Sequence, residues 1–452
     1  MFKSFDKYEN SSSPLYIKLY EYYKELIIKG DLAGSSKMPS VRRCAQELEI
    51  SRTTVESAYM QLAAEGYIIS KPQSGFYVAD IDLNEISMDT KKDDIVKERK
   101  NKIEFDFVST AVDKESFDFA LWRRYIKSAF RSDERLLNYG EPQGEYDLRC
   151  AISDYVRKSR SVMCSPEQII IGASVQSLLY FFCAFMKGTG NVAFTGPAFE
   201  KGEVIFKDMD FNTMKIENPT NFEQMQKNKI KIIYASPSHI NIFGDILPVK
   251  DRVALLKYAE NNNCIIIEDD YDSEFRYYSR PVPSLQGMGS DRVVYMGTFS
   301  KLLLPSIRVS FMILPKELIK KYEQKKSLYN QTASKAEQIA LCQFIRDGHL
   351  ESQIRKARKL YMNKSKALCE EVERVFGNKA SAKPLQSGLF VLISIKSDYS
   401  AEKIEKEALK NGVKLKSITV NENADNRCFL LSCSNVPVES FNEALKRIKQ
   451  MV

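Results

Sequence analysis

Residues 80–104 divide this chain into two segments of different pattern. Their sequence, DIDLNEISMDTKKDDIVKERKNKIE, is highly charged, has few apolar residues and contains neither Gly nor Pro. Such a segment cannot bury a core of its own and is typical of an extended or partly helical linker. A chain of 452 residues is also too long for one ordinary core. We therefore predict one folded domain over residues 1–79 and a second over residues 105–452.

The first segment contains three helical patterns followed by two short β-like runs. Apolar residues recur at helical spacing from Leu15 to Ile27, and Gly30 ends that pattern. Ser40 opens a second helix, and Ser51 is a good N-cap for a third. The runs YIIS and GFYV, on either side of KPQSG, predict a hairpin. This order of elements is that of a winged helix-turn-helix.

The third helix begins with SRTTVESAY, which leaves Arg52, Thr53 and Thr54 outward in its first turn. An arginine and two hydroxyls at a helix N-terminus suit a DNA groove, because arginine forks onto guanine and the free N–H groups favour anions. Arg42, on the preceding helix, is placed to hold a phosphate. The alternative is that Ser51 and Thr54 only cap the helix and that Arg52 is solvated.

Net charge gives little support to DNA binding by this segment. The whole chain carries +8, but residues 1–80 hold 10 basic and 10 acidic side chains.

Nine scattered cysteines without Cys-x-x-Cys spacing, and only two histidines, favour buried thiols and no metal centre. No apolar run approaches the roughly 20 residues of a membrane span, and the N-terminal residues lack the apolar core of a signal peptide. We therefore expect a cytoplasmic protein with no membrane partner. If the first segment binds DNA, the protein is expected to be nucleoid-associated.

The second segment alternates short apolar strands with helical stretches, the pattern of an α/β domain. One buried strand, residues 264–267, delivers Glu268, Asp269, Asp270 and Tyr271 at its carboxyl end, where ligands bind in open α/β sheets. A carboxylate there can keep a pyridine nitrogen protonated. The alternative is a metal site built from the clustered carboxylates Asp269, Asp270, Asp272 and Glu274.

The sequence VVYMGTFSKLLLPSIR places Thr298, Ser300, Lys301 and Arg308 after another apolar strand. Lys301 on an apolar segment is suited to be a Schiff-base nucleophile, and the hydroxyls and the arginine suit a phosphate. The alternative is an ordinary surface lysine.

Two further loops follow strands. In IIIGASVQ, small residues precede a helix that contains Gln176 and begins near Ser174, where backbone N–H groups can approach a phosphate; a plain strand–helix turn is the alternative. In TGPAFEKG, Phe199 is placed to stack on an aromatic ring or to fill the core.

The first segment resembles the GntR-type DNA-binding domain, from PLYIKLYEYYKELIIKGDL through MPSVRRCAQELEISRTTVESAYMQLAAEGYI to SGFYV. The resemblance implies binding to double-stranded operator DNA. It implies that the DNA-facing positions are Arg42, Arg52, Thr53, Thr54 and the wing-tip Gly75. Glu56 departs from the basic residue that some members carry.

The second segment resembles fold-type-I enzymes that use pyridoxal 5'-phosphate (PLP), and the two segments together resemble the MocR family of regulators. The motifs are NYGEPQGEYDLR, EDDYDSEFRY and YMGTFSKLLLP. The resemblance implies a mostly parallel seven-stranded sheet with a smaller C-terminal α/β subdomain, and a homodimer whose DNA heads cross to the partner.

The same resemblance implies a role for each cofactor-facing residue. Lys301 would bond PLP covalently, Asp269 would hold the pyridine nitrogen and Tyr271 would bond the phenolic oxygen. Phe199 would stack on the ring. The residues around the phosphate would be Ser174, Gln176, Thr298, Ser300 and Arg308.

One departure from the family pattern bears on function. Where sensing members and aminotransferases place an arginine for the ligand's carboxylate, aligning FLLSCS puts Leu430; Arg427 should point elsewhere because side chains alternate in a strand. We therefore favour a regulator that senses PLP or a small amino compound, with residual half-transamination possible, over an active aminotransferase with an accessory DNA-binding domain. A DNA-binding protein with a cofactor-free domain is a third alternative.

Overall fold

The structure is a computed structural model that describes residues 13–80, 103–131, 133–196, 199–271, 273–276, 282–289, 291–386, 389–418 and 426–451. The chain divides into two compact units, residues 1–98 (the head unit) and residues 99–452 (the effector unit). The predicted linker lies outside the described residues except at its two ends. Across the part of the chain that is described, no helix is both long and apolar enough to span a membrane.

Over its described residues, 13–80, the head unit has three helices followed by one hairpin, as the sequence predicts. Its elements are α1 (Leu15–Ile28), α2 (Val41–Glu47), α3 (Arg52–Ala64), β1 (Ile68–Lys71) and β2 (Gly75–Val78). β1 and β2 pair antiparallel, with Lys71 opposite Gly75 at the turn.

The core of the head unit forms because each helix carries one apolar face. Tyr23 of α1 and Tyr59 of α3 are almost fully buried, and their rings meet edge to face at 5.6 Å. The Tyr59 hydroxyl donates to the carbonyl of Pro39, just before α2, at 3.0 Å. Aromatic packing therefore joins the first and third helices and anchors the start of the second.

The effector unit alternates strands and helices over most of its length. Its strands are β3 (Phe105–Asp106), β4 (Ile169–Gly172), β5 (Asn191–Thr195), β6 (Thr213–Ile216), β7 (Ile230–Ala235), β8 (Ile265–Asp270), β9 (Val293–Thr298), β10 (Ser310–Ile313), β11 (Ala380–Pro384), β12 (Phe390–Lys396), β13 (Val413–Lys414), β14 (Ser417–Ile418) and β15 (Asn426–Ser432).

Its helices are α4 (Phe119–Ala129), α5 (Asp133–Leu136), α6 (Tyr146–Arg160), α7 (Val175–Met186), α8 (Glu200–Asp208), α9 (Phe222–Lys227), α10 (Val249–Asn261), α11 (Lys316–Glu323), α12 (Lys335–Arg346), α13 (His349–Phe376), α14 (Ala401–Lys410) and α15 (Phe441–Lys449).

The central sheet has seven strands in the order β4-β10-β9-β8-β7-β5-β6. The pairs from β9 to β6 are parallel, whereas β10 runs antiparallel to both of its neighbours. Apolar clusters cover both faces, which explains why β4, β7 and β8 are buried along nearly their whole length. This confirms the predicted mostly parallel seven-stranded sheet.

The C-terminal part is a smaller α/β layer, also as predicted. Its antiparallel sheet has the order β11-β12-β15-β14, and its apolar face packs on the C-terminal end of α13 and on α14 and α15. β3, at the start of the effector unit, pairs parallel with β13. The beginning and the end of the unit are therefore tied together.

Candidate cofactor site and DNA-binding surface

The start of α3 is capped by its own hydroxyls. Ser51 Oγ accepts the backbone N–H of Thr54 at 3.1 Å, and it lies 2.8 Å from the Thr53 hydroxyl and 2.7 Å from the Thr54 hydroxyl. Arg52, the first residue of α3, is exposed. Both hydroxyls predicted to face DNA thus also take part in the helix cap, while the Arg52 side chain is presented to solvent.

The other two predicted DNA positions are on the surface of the head unit. Arg42 is exposed in the first turn of α2, where Ser40 caps the helix. Its neighbour Arg43 is ion-paired to Glu47 at 2.7 Å. Gly75 is exposed at the tip of the hairpin with φ +97°, a conformation that glycine adopts readily and other residues rarely do.

In the effector unit, the last residues of β4 and β9 lie side by side with the first residue of β10. We call this end of the three strands the sheet edge. Ser310 pairs with Gly172 on one side and with Thr298 on the other, and its hydroxyl donates to Thr298 Oγ1 at 2.9 Å. Because β10 is antiparallel, its first residue lies at the carboxyl ends of β4 and β9. This edge therefore joins the loops that follow Gly172 and Thr298.

The predicted phosphate ligands are arranged around those loops. Ser174 is the N-cap of α7, and its Oγ accepts the N–H of Ser177 at 3.1 Å. The Ser300 backbone N–H donates to Thr298 Oγ1 at 3.2 Å, so this hydrogen bond does not use the Ser300 hydroxyl.

Ser300 supplies the test of whether a phosphate fits here. Its Oγ is buried and has no hydrogen-bond partner among the described residues, an arrangement that costs free energy unless a ligand supplies the partner. Gln176 is half-buried in the first turn of α7. Arg308 is exposed, with φ +51°, two residues before β10. An acceptor-rich anion matches this set of donors.

Lys301 lies over an aromatic ring. Its Nζ is 4.6 Å from the centre of the Tyr271 ring, and the His239 ring lies 5.0 Å from that ring at an interplanar angle of 24°. A cation above a tyrosine face is electrostatically favourable. His239 is not among the residues predicted from the sequence. It lies in the loop ASPSHINIFG, which follows β7 at the ligand-binding end of the sheet.

Asp269 is held by a tyrosine of the neighbouring strand. The Tyr234 hydroxyl donates to Asp269 Oδ2 at 2.6 Å, and both residues are buried. Burial and then the Asp269 charge and hydrogen bond raise the pKa of Tyr234 well above its ordinary value, so the hydroxyl keeps its proton. Phe199 lies 6.1 Å from the Tyr234 ring, nearly parallel to it. Asp269 and the predicted stacking Phe199 are thus linked through Tyr234.

The acidic residues 268–270 belong to β8, whereas the sequence placed them after the strand. The strand was predicted to end at Ile267, but β8 continues to Asp270. Because side chains alternate along a strand, the three carboxylates are divided between two faces. Glu268 pairs with Tyr295 of β9, and the Tyr295 hydroxyl donates to Asp270.

Glu268 and Asp270 lie on the face opposite to Asp269, and they have different hydrogen-bond partners. Arg160 Nε donates to Asp270 Oδ2 at 2.7 Å, and its Nη2 donates to Ser238 at 2.7 Å. Glu268 accepts backbone N–H groups of residues 285 and 286. Burial and the negative charge of Asp270 nevertheless raise the pKa of Glu268 to about 7.

The alternative of a metal site gains no support from the carboxylates that are described. Asp270 binds Arg160 and Tyr295, while Glu274 accepts the Tyr155 hydroxyl at 2.9 Å. Asp272 lies outside the described residues. Within the described ranges, no group of three or more His, Cys, Asp or Glu side chains is arranged to hold a metal ion.

The position predicted to correspond to the family's carboxylate-binding arginine is apolar in the structure. Leu430 of β15 pairs with Leu392 of β12, and both are half-buried, whereas Phe429 and Leu431 on either side point into the core. Arg427 donates from Nε to the carbonyl of Tyr399 at 2.7 Å. Three positions away in a strand, it belongs to the opposite face from Leu430.

Comparison with known proteins agrees with this architecture. Residues 15–78 match the family of bacterial regulatory proteins of the gntR type, and residues 109–448 match aminotransferase class I and II. The structure superposes on an archaeal alanine:glyoxylate aminotransferase with a TM-score of 0.67 at 20% identity, over 77% of this chain and 90% of the other. At that identity the likeness shows the fold.

Several known proteins align with most of the chain. The chain is 38% identical to the uncharacterized HTH-type transcriptional regulator YdeL of Bacillus subtilis, over 96% of each chain. It is 30% identical to the probable rhizopine catabolism regulatory protein MocR of Rhizobium meliloti, over 79% of this chain and 77% of that one. It is 26% identical to the pyridoxine biosynthesis transcriptional regulator PdxR of Corynebacterium glutamicum, over 83% and 82%. The chain therefore belongs to the MocR-type transcriptional regulators, which join a GntR-type helix-turn-helix to an aminotransferase-like domain.

Proposed function

We propose that this regulator binds PLP in its effector unit and that its affinity for operator DNA depends on PLP itself or on a small amino compound. The observation that carries the proposal is the set around the sheet edge: Lys301 over Tyr271, Asp269 on a buried strand end, and Ser300 with a buried hydroxyl that lacks a partner among the described residues. These three features match an aldehyde, a pyridine nitrogen and a phosphate.

The residues that would hold PLP divide by the part of the cofactor they suit. Lys301 would bond it covalently, Asp269 would pair with the ring nitrogen, and Tyr271 would bond the phenolic oxygen. The phosphate would be held by Ser174, Gln176, Thr298, Ser300 and Arg308. When bound, PLP supplies a covalent attachment point for amines and an electron-accepting ring.

The chain's own groups favour sensing over turnover. Asp269 is fixed at a buried position by the Tyr234 hydroxyl, and the Phe199 and Tyr234 rings pack beside it. Leu430 offers no charge to a carboxylate at the place where a bidentate arginine would bind one, so common α-amino acids should bind weakly. We therefore propose that the effector unit responds mainly to whether PLP is bound.

The head unit would read DNA through α3 and hold it through α2 and the wing tip. Arg52 would contact a base, Arg42 a phosphate, and Thr53, Thr54 and Gly75 the adjoining backbone. We extend the proposal to a homodimer in which each head crosses to the partner's effector unit. Sedimentation of the purified protein as a monomer at micromolar concentration would contradict that extension.

The proposal is tested by comparing DNA affinity with and without the cofactor. Operator sequences are selected from a random DNA library with the full chain, and their affinity is measured for PLP-loaded and PLP-stripped protein. We expect a change of tenfold or more on loading, reversed on stripping. Equal affinities in both forms, unchanged by a panel of amino acids and amines, would contradict the proposal.

A further inference from the structure

Two tyrosines, one on each of the strands that flank β8, hydrogen-bond to two consecutive carboxylates of β8. The two hydrogen bonds lie on opposite faces of the sheet. Tyr234 of β7 bonds Asp269 on one face, and Tyr295 of β9 bonds Asp270 on the other. The registers account for this: Tyr234 pairs with Ile267, two residues before Asp269 and on the same face. Tyr295 pairs with Glu268, two residues before Asp270.

The structure gives the two carboxylates different partners. Asp270 has the guanidinium of Arg160 at 2.7 Å, and both side chains are only 1% exposed. On the other face, Asp269 accepts the hydrogen bond of the neutral Tyr234 hydroxyl at 2.6 Å. A hydroxyl that donates to a buried carboxylate stabilises its ionised form and fixes its orientation.

The Tyr234 ring is itself firmly placed. It lies 5.1 Å from the Phe194 ring at 23°, and 6.1 Å from the Phe199 ring at 22°. Both contacts are with nearly parallel rings, so the hydroxyl direction is set by packing in the core and not by the hydrogen bond alone. Removing only the hydroxyl should therefore leave the ring, and the fold around it, in place.

We infer that Tyr234 is a positioning residue for the PLP site, which holds the Asp269 carboxylate ionised and oriented toward the ring nitrogen. The inference rests on the proposed function, because it acts on PLP only through Asp269. Its physical basis is that a buried carboxylate without a donor is costly and tends to become neutral, and a neutral carboxyl cannot balance a protonated pyridine. Tyr234 would thus set how tightly the regulator holds its cofactor.

The experiment compares Tyr234→Phe with Tyr295→Phe in the full chain. Each variant loses one hydroxyl from a buried tyrosine that bonds a β8 carboxylate, so the two are closely matched. The measurements are the dissociation constant of PLP, the visible absorption spectrum of the loaded protein, and the thermal unfolding midpoint. We expect Tyr234→Phe to weaken PLP binding about tenfold or more, the usual scale of a hydrogen bond to a charged group, and to shift the absorption maximum. Tyr295→Phe should leave PLP affinity within about twofold.

A double-mutant cycle separates positioning from a general loss of packing. In an Asp269→Asn background, which removes the charge that Tyr234 stabilises, Tyr234→Phe should cost little further PLP affinity. An equal loss in both backgrounds, or wild-type affinity and spectrum in Tyr234→Phe, would overturn the inference. If wild-type protein itself fails to bind PLP, the proposed function fails instead, so the two failures are distinguishable.

Discussion

Arg160 and Asp270 form an ion pair with 2.7 Å between Nε and Oδ2, although their side chains are each only 1% exposed. Burial alone would lower the pKa of Arg160, but the nearby acidic groups, Asp270 above all, more than offset burial and raise that pKa. A third carboxylate, Glu274, joins this cluster. The cluster lies on the face of β8 opposite to Asp269. It therefore helps to fix the strand that carries Asp269.

Glu274→Gln should change how stability depends on pH. Burial and the Asp270 charge raise the pKa of Glu274 from its ordinary 4.5 to about 7. Between these values the folded state binds more protons than the unfolded state, so this group's contribution to stability falls as pH rises. We expect the variant to match wild type near pH 5 and to exceed it at pH 8 by roughly 1–3 kcal/mol in unfolding free energy. Urea titrations at the two pH values measure this; an equal loss of stability at both would contradict it.

Arg52→Ala should weaken binding to the selected operator and blur its sequence preference. If Arg52 reads a base, the loss is about 1–3 kcal/mol, and it should disappear on an operator already substituted at the contacted base pair. Binding curves on a panel of single-base operator variants measure both effects. An unchanged preference at every position would show that α3 meets DNA in another way.

Arg42→Ala should act on all DNA sequences alike. Loss of one phosphate contact reduces affinity uniformly and lowers the slope of log affinity against log salt by about 1. Titrations on operator and random DNA over a range of salt concentrations check this. Arg43→Ala is the matched control on the same helix turn, because Arg43 is paired to Glu47 and should change the slope less. A steeper or unaltered slope in Arg42→Ala would exclude the phosphate contact.

The sequence predicted those parts of the molecule that depend on local pattern. Ser40 and Ser51 were identified as helix starts because capping is a short-range interaction, and the structure has both as N-caps. The apolar run before Asp269 likewise indicated a buried strand. The end of that strand was misjudged because its last three residues are acidic, which normally signals a loop.

Those acidic residues are tolerated inside the sheet only because distant residues compensate them. Arg160 is 110 positions from Asp270 in sequence, and Tyr234 is 35 positions from Asp269. Neither partner is visible in a local pattern, since register between strands decides which residues meet. The roles of the individual site residues, from Ser174 to Arg308, stay predictions for a different reason: they depend on a bound cofactor.

Leu430→Arg should give the effector unit an affinity for amino-acid carboxylates. The position lies on the sheet face opposite the C-terminal core, beside Leu392, and a guanidinium there would form a bidentate, charge-assisted contact. We expect wild type to show little spectral response and little transamination with common amino acids, and the variant to respond at a concentration at least tenfold lower. Absorbance titrations of the PLP-loaded proteins measure this.

Two residues serve as controls for that prediction. Lys201, in α8 just past Phe199, and Arg427 are the two alternative candidates for binding an amino-acid carboxylate. A clear micromolar response of wild type to one amino acid, abolished by Lys201→Ala or Arg427→Ala, would favour an amino-acid sensor with a shifted binding pose. Rapid turnover by wild type would favour the alternative of an active aminotransferase. Arg427 already donates to the Tyr399 carbonyl on the other face of the sheet, so we expect its substitution to have no effect on the spectra.

The most direct test of the account is the chemical identity of the residue that bonds PLP. The purified full chain is loaded with PLP, reduced with borohydride, digested and analysed by mass spectrometry, alongside Lys301→Ala. The account predicts a pyridoxyl label on Lys301 in wild type and no reducible attachment in the variant. A label on another lysine, or a reducible attachment that persists in Lys301→Ala, would contradict it.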